Sequence, residues 1–204
     1  MKLSDLFEAG ISEGRSHPII VVDVQPAYSA YDPETCNRIA QFVSKQTDPV
    51  LMFVNAELTG VTDDTVADIQ HWWDERTDLD WDRVQIVDKG YGYFRAWMDS
   101  GVDPGAIIRV IRAMYQQNVS SSDQLFGGVD REGYDTQMAE LVGDDYATRM
   151  PQDPMTIHWT SVAQLKKFNG AYIVGGGRNE CLREVELLMN AFNIRYKRID
   201  SMVY

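Results

Sequence analysis

Four short apolar runs, each closing on a polar residue or a glycine turn, most constrain what this chain can fold into. They are "HPIIVVDVQ", ending at Asp23, "PVLMFVNAE", "DRVQIVDK", ending at Lys89, and "GAYIVGGG"; a fifth and more polar segment, "IRYKRID", follows. Unbroken apolar stretches of this length read as strands buried on both faces, not as alternating half-exposed strands. Segments with helical spacing lie between them. "PETCNRIAQFVSKQ" places Ile39, Phe42 and Val43 on one side, residues 62–76 open with an Asp/Thr cluster suited to capping, and 179–192 follow the glycines. Strands alternating with helices predict a three-layer α/β/α domain around a mainly parallel five-stranded sheet, joined by right-handed crossovers.

The 204 residues amount to one domain's worth of chain, read as a single domain over 1–204. Roughly eighty residues separate the third and fourth strands, far more than the dozen or so a crossover requires. "PGAIIRVIRAMYQQN" puts Ile107, Ile108, Ile111 and Met114 on one helical side. "REGYDTQMAELVGDDY" and "SVAQLKKFNG" read as further helices. Residues 99–160 are therefore expected to form a helical insertion, either a lid or an oligomerisation arm.

Charge narrows the partners. The net charge of −12 disfavours nucleic acid and acidic membrane surfaces. The deficit lies in residues 1–164, at −15, whereas 165–204 carry +3, so a small anion remains compatible with the glycine segment. No apolar run reaches the roughly 18–20 residues that span a bilayer. The first eighteen residues read as a short helix with Leu3, Leu6 and Phe7 on one side, without the apolar core of a signal peptide. A cytoplasmic protein acting on a small molecule is expected, self-associating as a homo-oligomer. Two cysteines, Cys36 and Cys181, offer neither a disulfide framework nor zinc spacing.

Asp23, Lys89 and Cys181 fall at or just beyond the ends of the first, third and fourth strands. In a parallel sheet those ends share one edge, where ligands bind at the point at which strand order reverses. If the order is 3-2-1-4-5, Asp23 and Cys181 face each other across that crevice and Lys89 reaches in from the side. The run "IVGGGRNECLREVELL" leaves open what its glycines do. They form an anion-binding helix N-terminus, or they shape the backbone around a reactive cysteine.

"IIVVDVQPAY", "IVDKGYGYF" and "VGGGRNECLREVELLMNAFNIRY" resemble, in order, the D-x-Q strand end, the lysine segment and the cysteine segment of the isochorismatase-like hydrolase superfamily. The resemblance runs from about residue 17 to 98 and again from 164 to 200. It implies a cysteine-dependent hydrolase of a small amide or related C–N bond, working through a thioester with Asp23, Lys89 and Cys181 as its triad. It further implies a cis peptide bond joining Gly176 to Gly177, with the Gly177 and Cys181 N–H groups as the oxyanion hole. Gln25, Tyr28, Tyr91, Phe94, Gly176 and Arg178 are the expected substrate contacts. The chemistry is coherent: a thiolate is the nucleophile, a helix N-terminus and an ammonium favour it, and Asp23 can shuttle the proton.

The chain also departs from that pattern. Arg178 and Asn179 follow Gly177 where the family has its usual threonine, and Arg178 either binds a substrate carboxylate or is simply solvated. Glu180 and Glu184 flank the cysteine and would oppose thiolate formation if turned inward. The family's final helix has no counterpart after the fifth strand. His17, His71 and His158 lack ligand spacing, so neither a catalytic metal nor any cofactor is expected. Tyr28, Tyr91, Tyr93, Phe94 and Trp97 either wall a pocket or fill the core. An inactive member of the superfamily serving as a binding or assembly module is the alternative to an enzyme. A phosphate-binding "GGGRN" loop, without the established phosphate-loop spacings, ranks last.

Overall fold

The computed structural model describes residues 17–56, 62–89, 94–143, 146–149, 151 and 153–204. The leading helix expected before residue 17 and the contact expected from Tyr91 lie outside the described residues. The five apolar segments form β1 (Ile19–Val22), β2 (Val50–Val54), β3 (Val84–Asp88), β4 (Ala171–Gly175) and β5 (Tyr196–Val203). All pair in parallel, as the strand pattern predicted, and in the order β3-β2-β1-β4-β5, the one under which Asp23 and Cys181 were expected to face each other.

Successive side chains of a strand point to opposite faces, and here both faces are covered. On β1, Ile19 and Val21 enter one core, Ile20 and Val22 the other. The first core is closed by α2 (Pro33–Ser44), through Cys36, Ile39, Ala40 and Val43, and by α3 (Val66–Asp74), through Ile69 and Trp73. A short α1 (Pro26–Ser29) lies between β1 and α2. The second core is closed by α5 (Pro104–Gln117), α8 (Trp159–Leu165) and α9 (Cys181–Ala191). Helices α4 (Arg95–Asp99), α6 (Arg131–Val142) and α7 (Tyr146–Arg149) complete the chain.

Most of the longer helices start where a side chain satisfies their orphan N–H groups. Asp32 accepts from Thr35 N ahead of α2, Thr65 and Asp68 form a capping box on α3, and Asp103 and Asp130 cap α5 and α6. Helix α9 is the exception: Glu180 makes no side-chain cap, so the N-terminus that begins at Cys181 is left open.

The 99–160 segment is helical, but its main helix is neither lid nor arm. Ile107, Val110, Ile111 and Met114 of α5 are fully buried in the second core, packed with α9 over the sheet. The long connection is the β3-to-β4 crossover, enlarged by α6 and α7 on its outer side, where α6 packs on α5. Ile111→Ala should therefore cost about 2–5 kcal/mol, read as a lower urea midpoint at unchanged m-value. A loss below about 0.5 kcal/mol, usual for a peripheral site, would contradict this placement.

Candidate active site

Asp23 and Lys89 each sit one residue beyond a strand, and both continue the ladder onto β2: Asp23 N donates to Phe53 O at 3.0 Å and Lys89 N to Val54 O at 2.8 Å. They thus flank β2 from either side, about 10 Å apart at two strand spacings. Only a long side chain spans that gap. Lys89 reaches over β2 and places Nζ 2.9 Å from Asp23 Oδ2, with both side chains almost wholly buried. Burial alone would lower the Lys89 pKa, but Asp23, Cys181 and Glu184 outweigh it and hold the ammonium above its ordinary value.

Asp23 adopts a left-handed backbone, φ +56°, at a cost of about 1–3 kcal/mol. Several contacts fix it there. Tyr204 Oη donates to Asp23 O at 2.7 Å and Trp73 Nε1 to the neighbouring Val24 O at 3.1 Å. Gln25 holds the same loop from below: its Nε2 donates to Asn55 O and to Asp64, each at 2.7 Å, and its Oε1 accepts from Asn55 N. Both ends of the Gln25 amide are therefore engaged in joining the β1 and β2 loops, which leaves this expected substrate contact a supporting role. Asn55 Nδ2 in turn donates to Tyr28 Oη at 3.0 Å.

The three glycines have three separate reasons. A Cβ on Gly175, at φ +121°, would lie 2.0 Å from Val22 O, so glycine allows β4 to close on β1. A Cβ on Gly176 would meet the Tyr204 ring at 2.4 Å. Gly177, at φ +68°, turns the chain so that Leu182 N donates back to Gly176 O and Gly177 O. No peptide bond among the described residues is cis, so the cis bond expected between Gly176 and Gly177 is not formed. The left-handed conformation at Gly177 makes the turn instead. The turn is not a run of free amides for phosphate either, since Gly176 N donates to Val22 O and Arg178 N to Tyr204 O. Among the described residues no acceptor is engaged by the N–H groups of Gly177 or Cys181.

A cleft of about 500 Å³ opens over this turn, lined by Asp23, Tyr28, Tyr31, Tyr204, the start of α9 and residues 176–180. Its described walls come from the strand-end loops, not from the 99–160 segment. Arg178 lines it but directs its guanidinium to Asp200 Oδ1 (3.7 Å) and to the carbonyls of Asp200 and Val203, tying the turn to β5. Phe94 was expected in the cleft; its ring is buried in the second core beside Trp97, because Phe94 opens α4 against the sheet. Of the histidines, His17 precedes β1 and stacks on Tyr172, His71 on α3 pairs with Glu75, and His158 precedes α8. Cys36 is buried on α2, a packing residue.

Cys181 opens α9 and lines the same cleft as Asp23, whose carboxylate acts on its thiol. Its pKa is pushed up to about 12 by burial first and by the Asp23 carboxylate next, with Lys89 pulling the other way and Glu184 adding to the rise. The helix N-terminus and ammonium do not leave a resting thiolate: the sulfur holds its proton.

Two residues near the sulfur were not among the expected catalytic or substrate-binding residues, although Glu184 was expected to oppose a thiolate if turned inward. Glu184, three positions along the helix from Cys181 and so on the same face, points inward and is buried. Its Oε1 accepts from Phe94 N at 2.9 Å and its Oε2 has no hydrogen-bond partner. That bond pins the start of α4, and the next residue, Arg95, brings Nη2 to 3.2 Å from Cys181 Sγ and Nη1 to 3.2 Å from Glu180. The inward possibility for Glu184 was visible in its spacing from Cys181. For Arg95 no signal was, since it stands alone after an aromatic run.

Fold and cluster together define a doubly wound α/β domain with an acid–lysine–cysteine group at its topological switch point. Compared with protein-family models, curated proteins and solved structures, the chain matches none. Among the described residues, no helix is long and apolar enough to cross a membrane.

Burial raises the Glu184 carboxyl above its ordinary pKa, against the pull of Phe94 N–H, Lys89 and Arg95. Unfolded, the group ionises near about 4.3. Between that pH and its higher native value the folded state keeps a proton the unfolded state has lost, so stability falls as the pH rises. Glu184→Gln has no such proton. Its stability relative to wild type should therefore increase from pH 4 to pH 7 in urea unfolding; a constant difference would mean that the carboxyl ionises as freely inside as out.

Proposed function

We propose that the chain is a cysteine-dependent hydrolase of a small amide or related C–N bond, built on the isochorismatase-like plan. One observation carries this reading: Asp23 and Cys181, far apart in sequence, line one cleft, and the carboxylate beside the thiol is itself held by the Lys89 ammonium. Asp23 takes the thiol proton as Cys181 Sγ attacks the carbonyl carbon. Because this moves negative charge between two buried neighbours instead of creating it, a neutral resting thiol is compatible with attack. The oxyanion forms beside the unengaged Gly177 and Cys181 N–H groups, at the uncapped end of α9. Collapse breaks the C–N bond, Asp23 returns the proton to the leaving amine, and a thioester remains for water to hydrolyse. Lys89 holds Asp23 in place and offsets charge on the sulfur.

The alternative, a binding module without turnover, draws on the inward Glu184, which opposes a thiolate. Against it, the three groups are not splayed and α5 does not fill the cleft. Supply of the substrate from cytoplasmic metabolism and a homo-oligomeric assembly belong to the same proposal.

The test is a panel of small amides, followed by amine release and by intact-protein mass. A substrate should leave an acyl adduct on Cys181 that hydroxylamine removes. Asp23→Asn should lower kcat/KM by roughly 10²–10⁴-fold, and Cys181→Ala should abolish the adduct. Tight binding in the cleft with neither adduct nor release would establish the binding module.

A further inference from the structure

We propose that Arg95 is a catalytic residue of this site: its guanidinium touches Cys181 Sγ and supplies the second positive charge that lets the sulfur become negative between two glutamates. The inference rests on Cys181 being the nucleophile. The groups facing the sulfur come from every element around it: Asp23 after β1, Lys89 after β3, Arg95 on α4, Glu180 and Glu184 about the start of α9, Tyr28 on α1 and Tyr204 after β5. Lys89 is matched to Asp23 at 2.9 Å. Without Arg95, Lys89, already matched to Asp23, would be the one cation among these groups to set against Glu184 and a negative sulfur. Arg95 opposes both glutamates, with Nη2 3.2 Å from Sγ and Nη1 3.2 Å from Glu180 Oε2.

A purely structural role does not account for this geometry. Glu180 is 62% exposed, and a pair with so exposed a partner contributes little to stability. A guanidinium serving only Glu180 would have no reason to turn its other amino group to a sulfur, nor to bury an unpartnered Nε. Burial works against the charge on Arg95, but Cys181, Glu184 and Glu180 overcome it and keep the guanidinium firmly protonated. Arginine does not give up a proton in proteins, so Arg95 contributes charge and a hydrogen bond, not acid catalysis. When Asp23 takes the proton, the S–H bond breaks, an O–H bond forms and the charge passes to sulfur. The sulfur then lies between Lys89 and Arg95 while its electron pair forms the S–C bond.

The test is the rate of Cys181 alkylation by iodoacetamide from pH 6 to pH 10, with the site identified by peptide mass and the fold checked by thermal melting. Iodoacetamide is uncharged, so arginine does not steer it. Arg95→Gln should slow alkylation at pH 7 by about tenfold and move the profile about one pH unit upward. Arg95→Lys should restore most of the rate. Glu180→Gln, at an exposed position where folding is not at risk, should raise it by about two- to threefold, with a tenfold change corresponding to one unit of thiol pKa. Asp23→Asn separates the two ideas. If it alters the profile while Arg95→Gln and Glu180→Gln do not, Cys181 remains the nucleophile and Arg95 is only a structural partner. A loss in Arg95→Gln that lysine fails to restore overturns the charge role. Indifference to all four substitutions overturns the nucleophile itself.

Discussion

The buried ion pair between Asp23 and Lys89 is the constraint around which the rest of the site is arranged. Taking two charges out of water costs several kcal/mol for each, and only good geometry repays it. The sheet supplies that geometry: β2 runs between the two residues, its ladder fixes both backbones, and the lysine stem has the length to cross it. Everything that holds Asp23 in its left-handed turn, from Tyr204 to the Gln25–Asn55–Asp64 network, also keeps the carboxylate available to both ammonium and thiol. Tyr204 performs two tasks, since the space its ring occupies is the space that Gly176 leaves by having no side chain.

A protonated resting thiol has a chemical advantage. The thiolate is the form that oxidants and adventitious electrophiles attack. In the proposed reaction, holding the proton on sulfur until Asp23 takes it would confine reactivity to moments when a carbonyl is in place. The arrangement depends on near-balance of charge: two cations, Lys89 and Arg95, stand against Asp23, Glu180 and a buried Glu184 whose own ionisation is disfavoured.

The sheet was legible in the sequence because buried parallel strands leave unbroken apolar runs and their turns leave glycine and polar residues. That Asp23, Lys89 and Cys181 share one edge of the sheet followed from the places where those runs stop, whereas their convergence there depended on an assumed strand order, which the sheet has. The role of α5 was not legible, since an amphipathic helix reads the same whether its apolar side covers a sheet or a partner. Nor were the fates of Gln25 and Phe94. A polar or aromatic residue next to a strand end can face the ligand or brace the loop, and only the positions of Asn55 and of the second core decide between them. Arg95 was hidden for a related reason: its approach to the sulfur is fixed by a single hydrogen bond from Phe94 N to a glutamate on another helix.

The strand order also sets a timetable. During synthesis β1, β2 and β3 can pair as soon as they emerge, but β1 keeps one edge open until β4 appears about eighty residues after β3, several seconds later at ribosomal rates. That edge is apolar on both faces, the kind of surface chaperones shield. The central strand is completed only when the segment carrying the cysteine arrives, and Asp23 is locked only when Tyr204 closes over it. A ribosome-bound chain that has not reached β4 thus has Asp23 and Lys89 but not yet Cys181, so the three groups come together only in molecules that have finished folding.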